Sequence, residues 1–206
     1  MTALRPDLAL VAQQIEPGTR ILDLGCGSGS LLAALAADKG CSVTGVEIDP
    51  DAVLRAIRRG VPVIERDVDA ALTDFATKSY DVVVLSRTLQ TILRPEFVLR
   101  QMARVGERLV VSVPNFGYYP NRLRLASGLM PKSKELPYEW YDTPNLRHTT
   151  LRDLERLFAK LNLGIEKRFT YTQRGRRLRM HAAAANLLAG AAVYVLRPGE
   201  KPADLS

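Results

Sequence analysis

The chain has 206 residues, 47% of them hydrophobic, which is the length of one ordinary domain with enough apolar material for a sizeable core. No apolar run is long enough to cross a bilayer and no continuous apolar stretch opens the chain, so a cytoplasmic protein with neither membrane span nor signal peptide is expected. The net charge of +7 is uneven, with 11 basic against 13 acidic side chains in the first hundred residues and 18 against 9 in the rest, while Cys26 and Cys41 fall in no Cys-x-x-Cys or Cys/His spacing, which predicts reduced thiols and no metal site.

A helix is expected over residues 7–16, ended by the turn Pro17-Gly18. Arg20-Ile21-Leu22-Asp23-Leu24 is short and apolar like a buried parallel strand. The glycines from Gly25 to Gly29 then bend the chain into a helix over 30–37, where Leu31, Leu32 and Leu35 share a face and Gly40 closes the end. Alternation continues with strand 42–46, helix 51–58, strands 61–64 and 80–85, a helix from Pro95 to Val105 and strand 108–113. Five strands with helical crossovers predict an α/β fold with a doubly wound, mostly parallel sheet. A helix over 151–161 and strands at 165–171 and 191–196 bring the sheet to seven strands, the last two forming an antiparallel edge pair. One domain over 1–196 and a frayed tail over 197–206 are expected.

Gly25-Cys26-Gly27-Ser28-Gly29 lies between a predicted strand and helix, where glycines let backbone approach a ligand and expose helix N-terminal amides. A dinucleotide fingerprint needs its third glycine where Ser30 stands, and no Gly-Lys-Ser/Thr completes a P-loop. Glu47, 22 positions after Gly25 at the end of the second strand, is placed to accept hydrogen bonds from ribose hydroxyls, so an adenosine-type ligand fits. The bland alternative is a tight turn with Glu47 capping the next helix, a role that Asp51 can fill instead.

Ile21-Leu22-Asp23-Leu24-Gly25-Cys26-Gly27-Ser28-Gly29 together with Gly45-Val46-Glu47-Ile48-Asp49 resembles the signature of S-adenosylmethionine (SAM)-dependent class I methyltransferases. The resemblance implies a Rossmann-like core binding SAM or S-adenosylhomocysteine (SAH). In it, Asp23, Gly25, Cys26, Gly27 and Gly29 face the methionine portion, Glu47 the ribose and Asp67 the adenine, with Ile48, Val68 and Ser86 completing the site.

Catalytic groups belong beyond the fourth and fifth strands, in residues 86–92 and 114–148. Leu85-Ser86-Arg87-Thr88-Leu89 stands where nucleobase amine methyltransferases carry Asn/Asp-Pro-Pro-aromatic, and neither cysteine follows that strand, which argues against both chemistries. Residues 114–148 hold six of the 13 aromatic residues and five prolines, the composition of an ordered segment that serves as a lid, a partner-binding surface or a packed excursion. Tyr138, Glu139, Tyr141, Asp142 and His148 are candidate bases, though none is paired at a spacing that demands acid/base work. The basic run Lys167, Arg168, Arg174, Arg176, Arg177 and Arg179 lacks the aromatic interleaving of a nucleic-acid surface.

Three stretches carry a closer resemblance, to the methionine biosynthesis protein MetW family: residues 84–91, the run Ser112-Val113-Pro114-Asn115-Phe116-Gly117, and residues 136–145 beginning Leu136-Pro137-Tyr138-Glu139-Trp140. The chain departs from the family's usual pattern at Arg87, at Tyr118-Tyr119 and at His148, which stands one position late. This resemblance implies a bacterial accessory protein working with homoserine O-acetyltransferase; an active methyltransferase on a small metabolite is the competing expectation.

Overall fold

The computed structural model describes residues 4–173 and 175–199. Helix α1 (Pro6–Gln13) leads into β1 (Arg20–Leu24), which is buried from Ile21 onward because helices cover both faces of its sheet. Then follow α2 (Ser30–Lys39), β2 (Ser42–Glu47), α3 (Pro50–Ile57), β3 (Val63–Glu65), α4 (Val68–Ala71), β4 (Tyr80–Ser86), α5 (Pro95–Val105) and β5 (Gly106–Pro114). The remainder comprises α6 (Tyr119–Ala126), α7 (Leu151–Lys160), β6 (Leu163–Tyr171), β7 (Arg177–Leu178), α8 (Ala182–Leu188) and β8 (Ala191–Pro198).

The strands form one sheet in the order β3-β2-β1-β4-β5-β8-β6-β7, parallel through β5 and antiparallel at every later pairing. The doubly wound, mostly parallel architecture is as expected, but the described residues form eight strands rather than seven, and the last of these is interior rather than at the edge. The extra strand is the two-residue β7, whose brevity and exposed Arg177 suit an edge. By contrast β8 is apolar and buried from Ala191 to Leu196, and such a strand needs neighbours on both sides. Its pairing reaches Pro198, and Arg197 bonds Glu166 at 2.6 Å, so the first residues of the expected tail belong to the sheet. Residues 200–206 of that tail lie outside the described residues.

Local chemistry accounts for the other differences. Asp49, not Asp51, caps α3, accepting from the Asp51 amide at 3.0 Å, and Pro50 supplies the preset first helical residue. The stretch after β3 carries the short α4, capped by Asp67, and a 3-10 turn at Leu72–Asp74. Within 114–148, Tyr118-Tyr119-Pro120 starts α6, Pro120 serving the first turn.

Two apolar cores sandwich the sheet. Leu31 and Leu35 of α2 and Val11 of α1 pack on Ile21, Val82 and Val110. On the other face Val98 and Met102 of α5 and Phe158 of α7 pack on Val83, Val111 and Tyr194.

Candidate functional site

At the carboxyl ends of β1 and β4, Asp23 lies one residue before the end of β1 on the α1/α2 face, and the chain turns through Gly25 (φ +70°) and Gly29 (φ +70°) into α2. A side chain at Gly25 would strike Thr88 Oγ1 at 2.5 Å, and one at Gly29 would meet Ala56 at 2.9 Å, so both turns demand glycine on conformation and space alike. Asp23, Gly25, Cys26, Gly27 and Ser86 line one cavity of about 790 Å³, together with Leu4 and Arg5 just before α1 and Leu8 within it.

Asp23 is the electrostatic centre of that cavity. Its side chain is buried with Oδ1 lacking any partner, and burial first, then repulsion from Glu47, pushes its carboxyl up to about 8. A buried carboxylate without a partner is costly unless a cation compensates it. Glu47 is tied to the loop itself: Oε2 accepts from the Gly27 amide at 2.7 Å and Oε1 from the Ile48 and Asp49 amides at 2.9 and 3.1 Å. Of the roughly four lone-pair directions of a carboxylate, one remains for a ligand hydroxyl. Burial pushes the Cys26 thiol up to about 12, and its sulfur fills the space over Gly45, which makes it packing rather than a nucleophile.

The remaining expected site residues stand apart from this cavity. Gly29 is buried against α3, Ile48 is exposed beyond β2, and Val68 is buried in the α5-side core. Asp67 and Asp69 separate cleanly. Asp69 is buried and accepts from the Leu93 and Arg94 amides at 2.9 and 3.0 Å, a structural clamp, whereas Asp67 is exposed at the end of β3 and uses Oδ1 to cap α4.

Sequence reasoning missed the role of Arg87 and its partners. Arg87 adopts φ +57°, lines the cavity, and bridges the buried Asp7 of α1 (3.0 Å) to Glu135 of the aromatic segment, with the Tyr171 hydroxyl against it. Desolvation opposes its charge, yet the carboxylates of Asp7 and Glu135 hold its pKa above the ordinary value. Only its departure from the family pattern drew attention to it; nothing local pairs position 87 with positions 7 and 135.

The aromatic segment is open. Tyr138, Trp140 and Tyr141 are exposed, Trp140 by 70%, and Glu139 pairs with Lys132. His148 stacks on Phe116 with ring centroids 4.8 Å apart, and burial lowers its pKa. Of the basic run, Arg168 pairs with Glu155 at 3.0 Å and Arg177 sits 4.5 Å over the Phe169 ring, while Arg174 lies outside the described residues. Among the described residues no cluster of His, Cys, Asp or Glu could hold a metal, and no helix is long and apolar enough to cross a membrane.

A family model described as "Methionine biosynthesis protein MetW" matches residues 5–196. The chain belongs to the MetW family. It is 34% identical over 174 residues to the bifunctional methionine biosynthesis protein MetXA/MetW of Rhodopirellula baltica, a match covering 80% of the chain and 28% of that relative. The chain likewise spans 39% of a ubiquinone biosynthesis O-methyltransferase of Paracidovorax citrulli, at 35% identity over 43% of its own length. Among solved structures, a TehB-like SAM-dependent methyltransferase from Corynebacterium glutamicum superimposes with a TM-score of 0.64 at 15% identity, covering 96% of this chain and 89% of that one. The [4+2]-cyclase SpnF superimposes with a TM-score of 0.67 at 17% identity, covering 93% and 80%. The family's fold is therefore that of class I methyltransferases, and a cyclase sharing it shows that the fold alone does not decide the reaction.

Proposed function

We propose that this MetW-family chain binds SAM or SAH in the cavity beside the glycine loop and serves as an accessory protein of homoserine O-acetyltransferase in the cytoplasm. The observation that carries the ligand is Asp23: a buried, unpartnered carboxylate oxygen at the floor of a cavity walled by the Gly25 turn. Such a site is completed by the ammonium of an amino-acid moiety, while Arg5 at the rim offers a cation to its carboxylate. Glu47 keeps one acceptor direction for a ribose hydroxyl, and exposed Asp67 keeps Oδ2 for an adenine amino group. When bound, SAM supplies an electrophilic methyl group; these residues bind and orient it and hold no proton in position for transfer.

Support for the accessory role comes from the relative whose name joins MetXA to MetW in one protein, and from the exposed aromatic side chains of residues 138–141. Aromatic anchors of that kind dominate protein interfaces. Calorimetry tests the ligand: one SAH site per chain and no NADH binding are expected, and tight NADH binding without SAH binding overturns the reading. Co-expression with homoserine O-acetyltransferase tests the role, through a complex on pull-down and acetyl-transfer rates that respond to this chain and to SAM. An acyltransferase indifferent to the chain leaves methyl transfer to a small metabolite as the better reading.

A further inference from the structure

A second cavity, of about 200 Å³, opens on the opposite face of the sheet from the glycine-loop cavity. Its walls are Leu89, Val113, Phe116, Leu136, Leu154 and Leu157, drawn from the turn after β4, the end of β5, the aromatic segment and α7. The two cavities share no lining residue, and the consecutive residues Thr88 and Leu89 divide them. An engineered apolar cavity of about 150 Å³ stays dry and binds benzene, so the space suits a molecule of that order.

Among the polar residues of the lining, which include Arg147, His148 and Thr149, Gln90 gives the cavity a chemical preference. Gln90 donates from Nε2 to the Arg87 carbonyl at 2.6 Å, and its Oε1 is buried without a partner. The amide cannot be turned over, because a carbonyl accepts only and must face the NH₂. The Gln90 backbone is also pinned, its carbonyl accepting from the Leu146 and Arg147 amides at 2.8 and 2.9 Å. A fixed, unpaired acceptor therefore belongs to a residue of the cavity lining, which also includes the stacked Phe116 and His148. Arg147, the cation on the lining, already donates to the Leu93 and Leu146 carbonyls.

We propose that this cavity is a second ligand site, taking a small neutral molecule with an aromatic or branched apolar body and one O–H or N–H donor for Gln90 Oε1. The ligand packs against Phe116 and Leu136, the inner side of the segment whose outer side exposes Tyr138 and Trp140. An anion is disfavoured because its oxygens would face the Gln90 oxygen without a proton between them.

The test uses the full chain and three probes of similar size: benzyl alcohol, toluene and benzoate, titrated while the methyl signals of Val113, Leu136 and Leu154 are followed by NMR. Benzyl alcohol should shift those signals with millimolar affinity, at least about threefold tighter than toluene, with benzoate weakest. Gln90→Leu should erase the preference for the alcohol over toluene, and Leu157→Trp, which fills the space from a half-buried position, should abolish binding of both; thermal unfolding confirms that each variant is folded. No methyl shifts, or benzoate binding tightest, overturns the proposal. Each titration is repeated with SAH measured separately by calorimetry, so loss of SAH binding sinks the proposed function and leaves this site standing, and the reverse also holds.

Discussion

The glycine-loop region and the segment 114–148 lie side by side at the carboxyl ends of the strands, but they are held by opposite means. The loop is fixed by strands and by one carboxylate, Glu47, that gathers three backbone amides. The segment hangs from a few buried polar clamps and, although Leu136 turns inward, leaves several large apolar side chains in solvent: Leu123, Trp140 and Tyr141 are all more than 60% exposed. The contrast teaches that order here does not track burial of apolar surface; a buried amide such as Asn115 can position an otherwise open segment.

The largest effect should come from breaking that clamp. Asn115 is buried, donates to the Asn186 and Ala189 carbonyls at 3.0 and 2.8 Å, and accepts from the Gly117 amide at 2.9 Å. Asn115→Ala should cost about 3 kcal/mol, because the orphaned groups stay buried, and lower the melting temperature by roughly 6–12 °C. A loss below about 1 kcal/mol in chemical denaturation would mean the segment is held elsewhere.

Next in size is the glycine loop's own anchor. Glu47→Ala removes charge-assisted bonds worth about 1.5–3 kcal/mol each, and SAH affinity by calorimetry should fall at least roughly tenfold. Unchanged affinity would make Glu47 a purely structural residue.

Asp23 sharpens the comparison through pH. Its folded-state pKa, about 8, lies above the ordinary 3.8, so the ligand-free fold binds a proton that the unfolded chain releases, and stability drains away as pH rises from about 4 to 8. Asp23→Asn removes that drain: the ligand-free variant should match the wild type near pH 4 and exceed it at pH 8 by at least about 2 kcal/mol, while losing SAH affinity. Parallel stability curves for the two proteins across that range would refute the burial of an unpartnered acid.

The smallest expected change in stability is at the exposed end of the segment. Trp140→Ala should alter stability by no more than about 0.5 kcal/mol, yet cost at least about 2 kcal/mol of acyltransferase binding as a hot spot. Equal binding by the variant would move the interface elsewhere.

The sequence foretold the first five strands and the helices before and between them except α4, because each signal was local: an apolar run, a proline at a helix start, a glycine at a turn. The third strand nevertheless begins at Val63, not at position 61, and the cap belongs to Asp49. Asp23, Gly25, Cys26, Gly27 and Ser86 are named from the resemblance to class I methyltransferases, and they line one cavity because strand order brings the ends of β1 and β4 side by side. What could not be read was non-local. The Arg87 bridge spans 80 positions to Asp7 and 48 to Glu135, and β7 is too short to leave a periodic trace.

The interior place of β8 also bears on how the chain is made. Among the described residues β6 pairs with β8 and β7, so during synthesis the strand that joins β6 to the parallel half arrives after it. Residues 163–178 must then wait, with buried-to-be side chains such as Phe169 and Tyr171 uncovered, until residues 191–198 emerge and zip between β5 and β6. Long-range closure of this kind is slow and leaves aggregation-prone surface exposed meanwhile. A chain halted before Ala191 should therefore be cut by protease within β6, whereas the completed chain should resist cleavage there.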